Sequence, residues 1–299
     1  MKHAPKRYNF FRKFSILTVG LWLLVFALLP HAGLLLIALL DRGGANFVVP
    51  VMTLGNYGRL FDPVFVRILW DSITLAATST LVCLFIGYPF AHRIAMAREA
   101  IRPWLLLLVI IPFWTNSLIR TYALIILLKS GGVISNTLQF FGLIDKPISF
   151  MYSDIATFTG LTYTLLPFMI LPLYVSLDKL DHKLIDAAKD LGANSFRAFW
   201  HVTLPLTMPG IVAGCMLVFL PSLGAFYIPE MLGGAKSMLI GNFIKNQFLV
   251  ARDWPLGAAA SSILTLILLL LIVVYRFTSK RVAARETHDS DDELFGEGA

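Results

Sequence analysis

The sequence predicts an all-α fold, a polytopic membrane bundle of six transmembrane helices. Three observations predict it. Of 299 residues, 57% are hydrophobic and 14% charged, with a mean hydropathy of +0.75, whereas about a quarter of a soluble domain is charged. Six runs are apolar enough and long enough to cross a hydrocarbon core of about 30 Å at 1.5 Å per residue. They cover residues 14–40, 72–91, 104–128, 155–177, 205–228 and 255–275. Finally, Lys and Arg alternate between sparse and dense in the connections, as retention of basic residues on the cytoplasmic side requires.

Residues 1–13, MKHAPKRYNFFRK, form a basic segment ahead of the first run. A signal peptide has an apolar stretch of about 7 to 15 residues followed by a small-residue cleavage site. The first run is longer and no such site follows, so it is expected to stay as an anchor. The second run holds Cys83 and Pro89; the third is interrupted by Thr115, Asn116, Ser117 and Arg120. Pro167 and Pro172 fall in the fourth, Pro209 and Pro221 in the fifth, which Pro205 opens. Each proline removes a backbone donor, and either a functional bend or irregular packing around satisfied carbonyls accounts for it.

The side holding Lys2, Lys6, Arg7, Arg12, Lys13, Arg93, Arg98, Arg102, Lys179, Lys183, Lys189, Arg197, Arg276, Lys280, Arg281 and Arg285 carries sixteen basic residues. Eight lie opposite: Arg42, Arg59, Arg67, Lys129, Lys146, Lys236, Lys245 and Arg252. Both termini are therefore expected in the cytoplasm, with a membrane domain over 14–276 and a cytoplasmic connection over 178–204. Residues 277–299, ending ETHDSDDELFGEGA, are acidic and poor in apolar groups, so a disordered cytoplasmic tail is expected.

The net charge of +7 is spread over short connections, never on one long basic face, which excludes a nucleic-acid reading. Cys83 and Cys215 are isolated, so neither a disulfide framework nor a metal site can be built. No HExxH, GxSxG or GxxxxGK[ST] occurs, and GGAKS lacks the Gly-Lys-Ser/Thr order. The chain is read as no enzyme, with no cofactor or metal of its own.

The connection LDKLDHKLIDAAKDLGANSFRAFWHVTLPLTMPG is the most informative segment. Asp181 suits the N-cap of a short helix on which Leu184, Ala187, Ala188 and Leu191 share an apolar face. Gly192 suits a left-handed stop. Asn194 or Ser195 can cap a second short helix with Phe196, Phe199 and Trp200 on one face, and Pro205 opens the next span. Two apolar faces on one surface loop need burial, in the lipid interface or against protein. Asp186 stands open to two readings: pairing with a basic partner, or favouring its own helix N-terminus.

In this segment Asp186, Ala187, Ala188, Gly192, Val202, Leu204 and Pro205 resemble the "EAA" signature of ABC importer permeases: EAA, three residues, Gly, nine residues, Ile, one residue, Leu-Pro. Asp186 replaces Glu and Val202 replaces Ile, both conserving chemical type. The resemblance extends to spermidine/putrescine importer permeases along nearly the whole chain, through TLGNYGRLFDP, IPFWTNSLIRTY, LLPFMILPLY, VTLPLTMPGIVAGC, MLGGAKSMLIGN and ARDWPLGAA. It implies a type I, MetI-like permease fold and a coupling helix that docks in a cleft of a cytoplasmic ATPase. It further implies a second permease subunit, two ATPase subunits that bind ATP and Mg, a periplasmic binding protein, and residence in a bacterial inner membrane. A single coupling loop agrees, because two ATP sites need two docking points.

Trp114, Asn116, Tyr122, Tyr163, Tyr227 and Glu230 are candidates for the translocation path. Aromatic faces offer cation–π contact to an amine and Glu230 a countercharge, whereas Arg120 repels one. Bonding between helices for Asn116, interfacial anchoring for Trp114, and snorkelling or pairing for Arg120 are the structural alternatives. A permease for another organic cation, an opine or a related small solute is the alternative function. A stand-alone secondary transporter is a more distant one, since no convincing pair of inverted repeats is found.

Overall fold

Within a hydrocarbon core no water is at hand for the backbone's polar groups, so the backbone bonds to itself, and the described residues of this protein are mostly helical. The computed structural model describes residues 6–44, 47–234 and 238–296. In order come α1 (Lys6–Leu23), a π-helical turn at Leu24–Leu28, α2 (Leu29–Ala38), β1 (Leu40–Arg42), β2 (Val48–Met52), α3 (Gly55–Arg59) and α4 (Pro63–Ala95). There follow α5 (Arg102–Trp114), α6 (Ser117–Leu128), α7 (Val133–Phe140), α8 (Asp154–Asp178), α9 (His182–Asp190) and α10 (Ser195–Ala198). A π-helical segment at Phe199–Thr203 leads to α11 (Leu204–Leu206) and α12 (Met208–Leu223); another at Pro229–Gly233 precedes α13 (Ile240–Leu249) and α14 (Trp254–Gly296). Five helical stretches are long and apolar enough to cross a membrane, and the pair bent by 65° at Thr207 makes a sixth.

The chain divides into two compact units, Met1–Val66 with Phe243–Leu266 and Arg67–Asn242 with Ile267–Ala299. In the first unit, α1 and α2 show most of their side chains outward, from Phe14 to Leu29. Beyond them, β1 and β2 pair antiparallel, a small departure from an all-helical chain. Asn56 on α3 donates to the carbonyls of Ala38 and Leu40, tying that ribbon to the end of α2. Asp253 is only 1% exposed; Arg59 lies 2.9 Å and Arg42 3.5 Å from its carboxylate. Its other oxygen accepts from Leu256 N, so one carboxylate both caps α14 and holds the ribbon and α3.

The second unit is built on α8. The expected fourth span, 155–177, falls inside it, and Leu161, Met169, Leu173 and Leu177 on α8 are almost fully buried. Glycines let α12 run against it closely. A Cβ at Gly210 would stand 2.4 Å from Ser176 Cβ and 2.8 Å from Pro172 O, and one at Gly214 2.7 Å from Met169 Sδ. Gly160 gives the same room to Leu232 and Ile228 near the other end of α8. Helices pack this way in lipid because close backbone approach, rather than exclusion of water, drives their association.

Several boundaries differ from those read in the sequence. The second span extends from 72–91 to all of α4, since the flanking residues, with only Arg67, Asp71, His92 and Arg93 charged or titratable among them, continue a helix already nucleated. The third, 104–128, is two helices interrupted at Thr115–Asn116, where the backbone is extended and Asn116 caps α6 by accepting from Leu118 N. Together α5 and α6 run the length of α8: Arg102 bonds Asp178 at the end of α8, and Phe150 N donates to Leu128 O near its start. The stretch Ser117–Phe140 has the length and composition to cross alone, but Gly131, at φ +69°, turns the chain between α6 and α7. The fifth span stops as an α-helix at Leu223, short of the expected 228.

Of residues 277–299, expected to form a disordered tail, 277–296 continue α14 as helix and 297–299 lie outside the described residues. Ala283, Ala284, Arg285 and Glu286 are good helix formers, and a helix already nucleated by the preceding span adds residues without a fresh nucleation cost.

Candidate coupling and translocation site

The segment after α8 assembles from local rules. Asp181 accepts from Lys183 N and caps α9. At the other end Ala193 N donates to Ala188 O and Gly192 N to Lys189 O, the paired bonds of a Schellman stop. Gly192 sits at φ +86°, as that stop requires, with open space around its missing Cβ. Asn194, rather than Ser195, caps α10 by accepting from Arg197 N.

On α9 the apolar stripe is left uncovered within this chain: Leu184 is 49% and Leu191 89% exposed. Asp186 is the fifth residue of α9, past the first turn, so the helix dipole scarcely reaches it. It lies 3.6 Å from Lys189 in an exposed pair.

The second short helix differs from expectation. After one α-helical turn the backbone widens into the π-helical segment, and Phe199 keeps an edge contact with Trp200 at 6.0 Å, as Phe196 keeps a tilted one at 6.1 Å. Phe196 and Trp200 remain exposed, whereas Phe199 packs edge-on to Tyr88 of α4 at 5.6 Å. Tyr88 OH also meets Thr207 Oγ1 at 3.0 Å, and Thr207, fully buried at the 65° bend, donates to Thr203 O. The bend into α12 is thus fixed to α4. Val202, Leu204 and Pro205 lie in the continuous helical path between Phe199 and that bend. A cavity of about 450 Å³ separates the segment from α4, lined by His92, Met96, Ile185, Asp186, Lys189 and Phe199 among others.

Sequence reasoning missed one group here, and a signal for it existed. Arg102 starts α5 and Asp178 ends α8, each at the end of a helix where the macrodipole disfavours its charge. Arg102 Nη1 lies 2.6 Å from Asp178 Oδ1, and Nη2 donates to Ala95 O, the last residue of α4. Misplaced charges on two helices are a reason to seek a tertiary partner.

The six path candidates fall into separate places. Trp114, 75% exposed, and Asn116 flank the break between α5 and α6. Tyr122 is the sixth residue of α6, and Tyr163 on α8 lies one turn from Gly160. Tyr227 and Glu230 are three residues apart where Pro229 opens a π-helical turn; Tyr227 is half-buried and Glu230 exposed. Ile228 and Leu232 of this turn pack at Gly160, so Tyr163, Tyr227 and Glu230 share the end of α8 remote from α9. Lys236, six positions beyond Glu230 and one of the eight basic residues on the less basic side, lies outside the described residues.

The profile of the family described as "Binding-protein-dependent transport system inner membrane component" matches residues 4–287. The chain is 46% identical over 272 residues to the spermidine/putrescine transport system permease protein PotB of Haemophilus influenzae, covering 91% of this chain and 95% of that one. To PotB of Escherichia coli it is 48% identical over 271 residues, covering 89% and 98%. Among solved structures, a bacterial ABC transporter involved in the import of the acidic polysaccharide alginate superimposes with a TM-score of 0.72 at 18% identity, over 92% of this chain and 96% of that one. The MetNI methionine ABC transporter gives 0.55 at 18% identity, over 77% and 99%.

Proposed function

We propose, on the premise that this chain belongs to the family of binding-protein-dependent transport system inner membrane components, that it is a permease subunit of an ABC importer for spermidine and putrescine. The observation that carries the reading is identity of 46 to 48% along about nine tenths of the chain to permeases named for those solutes. The substrate class comes from that likeness, because the alginate and methionine transporters share only the fold.

In this reading α9, with its exposed Leu184 and Leu191, inserts into a cleft of a separate ATPase, which binds ATP and Mg and performs hydrolysis. A second permease supplies the other docking point for a second ATPase copy, and a periplasmic binding protein delivers the solute. Asp186, Ala187, Ala188, Gly192, Val202, Leu204 and Pro205 carry the coupling. Small side chains on α9 allow close approach, the Schellman stop fixes the direction of its apolar face, and the link from Thr207 to Tyr88 passes its displacement to α4. Trp114, Asn116, Tyr122, Tyr163, Tyr227 and Glu230 are the candidate path, with carboxylate and ring faces meeting an amine as it sheds water. Both termini face the cytoplasm, as the asymmetry of sixteen to eight basic residues supports.

Uptake by the reconstituted complex tests the reading. With its ATPase, second permease and binding protein in liposomes, labelled spermidine or putrescine should accumulate only when ATP is present on the ATPase side. Accumulation of neither, with uptake of an opine instead, assigns the alternative substrate. For orientation, Cys83 and Cys215 are first replaced. In intact cells an impermeant thiol reagent should then label Asp145→Cys and spare Ser195→Cys; the reverse pattern inverts the topology.

A further inference from the structure

We infer that Arg102 and Asp178 form the link by which displacement of the coupling segment reaches the interrupted α5–α6 crossing, so that this pair sets how much solute is moved per ATP hydrolysed. The inference rests on the reading of 181–204 as the ATPase-coupling segment.

Three helix ends meet at one guanidinium. Arg102 opens α5, donates through Nη2 to the carbonyl of Ala95 at the end of α4, and pairs through Nη1 with Asp178 at the end of α8. Asp178 is three residues from Asp181, the cap of α9. Any push on α9 therefore reaches Asp178 through a very short tether, and Arg102 is the group that hands it on.

Geometry makes this a rigid rather than a loose connection. The planar fork of arginine fixes two bonds in a set relation, which a lysine cannot do. The two side chains are 28% and 35% exposed, so water screens the pair only in part. Each charge also sits at the unfavourable end of its own helix; the ion pair offsets both, and the carbonyl at the end of α4 adds to the offset for Arg102. Arg102 Nε is buried with no acceptor, so the two Nη bonds are the ones that fix the fork.

At its far end α5 stops at the extended backbone of Thr115, next to Trp114 and Asn116. A helix of 13 residues transmits an axial shift, and the break gives that shift a place to act. The pair is thus a positioning device: it touches neither nucleotide nor solute, and acts by keeping α5 in step with α8.

The test measures uptake and ATP hydrolysis together in the full reconstituted complex, at equal ATPase co-purification. Arg102→Gln and Asp178→Asn should each leave the complex assembled and hydrolysing ATP, while solute moved per ATP falls roughly fivefold or more, the lower range of coupling between two sites. Asp178→Glu should keep the wild-type ratio, and Arg102→Lys should fall between. Unchanged ratios in Arg102→Gln and Asp178→Asn overturn the link. So does failure of these two to bring down the ATPase at all, because the pair is then an assembly strut. Wild-type chain that retains no ATPase overturns the coupling reading itself, a failure distinguishable because it precedes any substitution.

Discussion

The guanidinium of Arg120 lies over the ring of Phe113, 5.6 Å from its centre. The two residues stand on opposite sides of the break at Thr115–Asn116, so Arg120 reaches back along the crossing, toward α5, and not outward along α6. Phe113 in turn packs edge-on to Phe168 of α8 at 4.9 Å. Snorkelling, one of the sequence alternatives for Arg120, requires the opposite direction. Its Nε is buried with no hydrogen-bond acceptor, so the aromatic face is the interaction that the described residues offer this cation within the crossing.

A cation held on a ring while partly removed from water is worth about 0.5–2 kcal/mol. Phe113→Leu and Arg120→Gln are each expected to lower the thermal stability of the purified subunit. In a double-mutant cycle the two effects should fall short of additivity by about 1 kcal/mol. Strict additivity would mean that the ring and the cation do not interact.

Gly192 ends α9 at φ +86° with open space where a Cβ would stand. The penalty of substitution there is conformational and not steric, about 1–2 kcal/mol for a residue with a branched Cβ and less for Asn. Gly192→Val should reduce the ATPase retained on the purified complex while membrane insertion is unchanged, and Gly192→Asn should do so less. Equal retention by both variants and the wild type would remove α9 from the docking site.

At Gly210 the reverse holds. Its φ is unremarkable, but a Cβ would lie 2.4 Å from that of Ser176 and 2.8 Å from a backbone carbonyl on α8. Even Gly210→Ala must separate α8 from α12, and overpacking of this kind costs about 1–3 kcal/mol. Detergent melting should show the loss, with Gly214→Ala milder because the flexible end of Met169 can move aside.

How far the sequence disclosed these features depends on the range of the interaction involved. The helix, stop and helix of 181–198 were legible because Asp181, Gly192 and Asn194 act on backbone within a few residues of themselves. The π-helical widening at Phe199–Thr203 was not, since it goes together with the packing of Phe199 on Tyr88, a residue more than a hundred positions away. Similarly Thr115, Asn116 and Ser117 announced an interruption, but the direction of Arg120 needed the position of Phe113. Arg102 was counted only as one of the retained basic charges; its clamp on Ala95 and Asp178 emerges once three helix ends come together.

Asp253 is a buried carboxylate that two half-exposed arginines approach, Arg59 at 2.9 Å and Arg42 at 3.5 Å. Removing a nearby cation leaves a charge stranded away from water, which costs more than the pair contributes when intact. Arg59→Ala is therefore expected to destabilise by about 2 kcal/mol, and Arg42→Ala, whose partner keeps the closer arginine, by about 1 kcal/mol. Proteolysis of the 40–52 ribbon offers a direct readout. Equal susceptibility of both variants and the wild type would place the hold on the ribbon elsewhere.

The final expectation concerns Glu230 and the solute. Glu230 is exposed in the turn opened by Pro229, with Tyr227 three residues before it and Ile228 and Leu232 packed down at Gly160. Its backbone N donates to Phe226 O, a bond that Glu230→Gln keeps, so the backbone of the turn is expected to survive the substitution. A dicationic or tricationic amine arriving at this end of α8 loses hydration and gains a countercharge and a ring face in its place. Glu230→Gln keeps size and hydrogen-bonding capacity but removes the charge. Uptake of spermidine at low concentration should fall roughly threefold, as expected for loss of one partly screened charge interaction worth under about 1 kcal/mol. High salt should narrow the difference between variant and wild type, because screening weakens what the substitution removes. Assembly and ATP hydrolysis without solute should stay near wild type. If uptake falls together with assembly, or if the difference persists unchanged at high salt, the carboxylate serves the structure of the turn and not the passage of a cation.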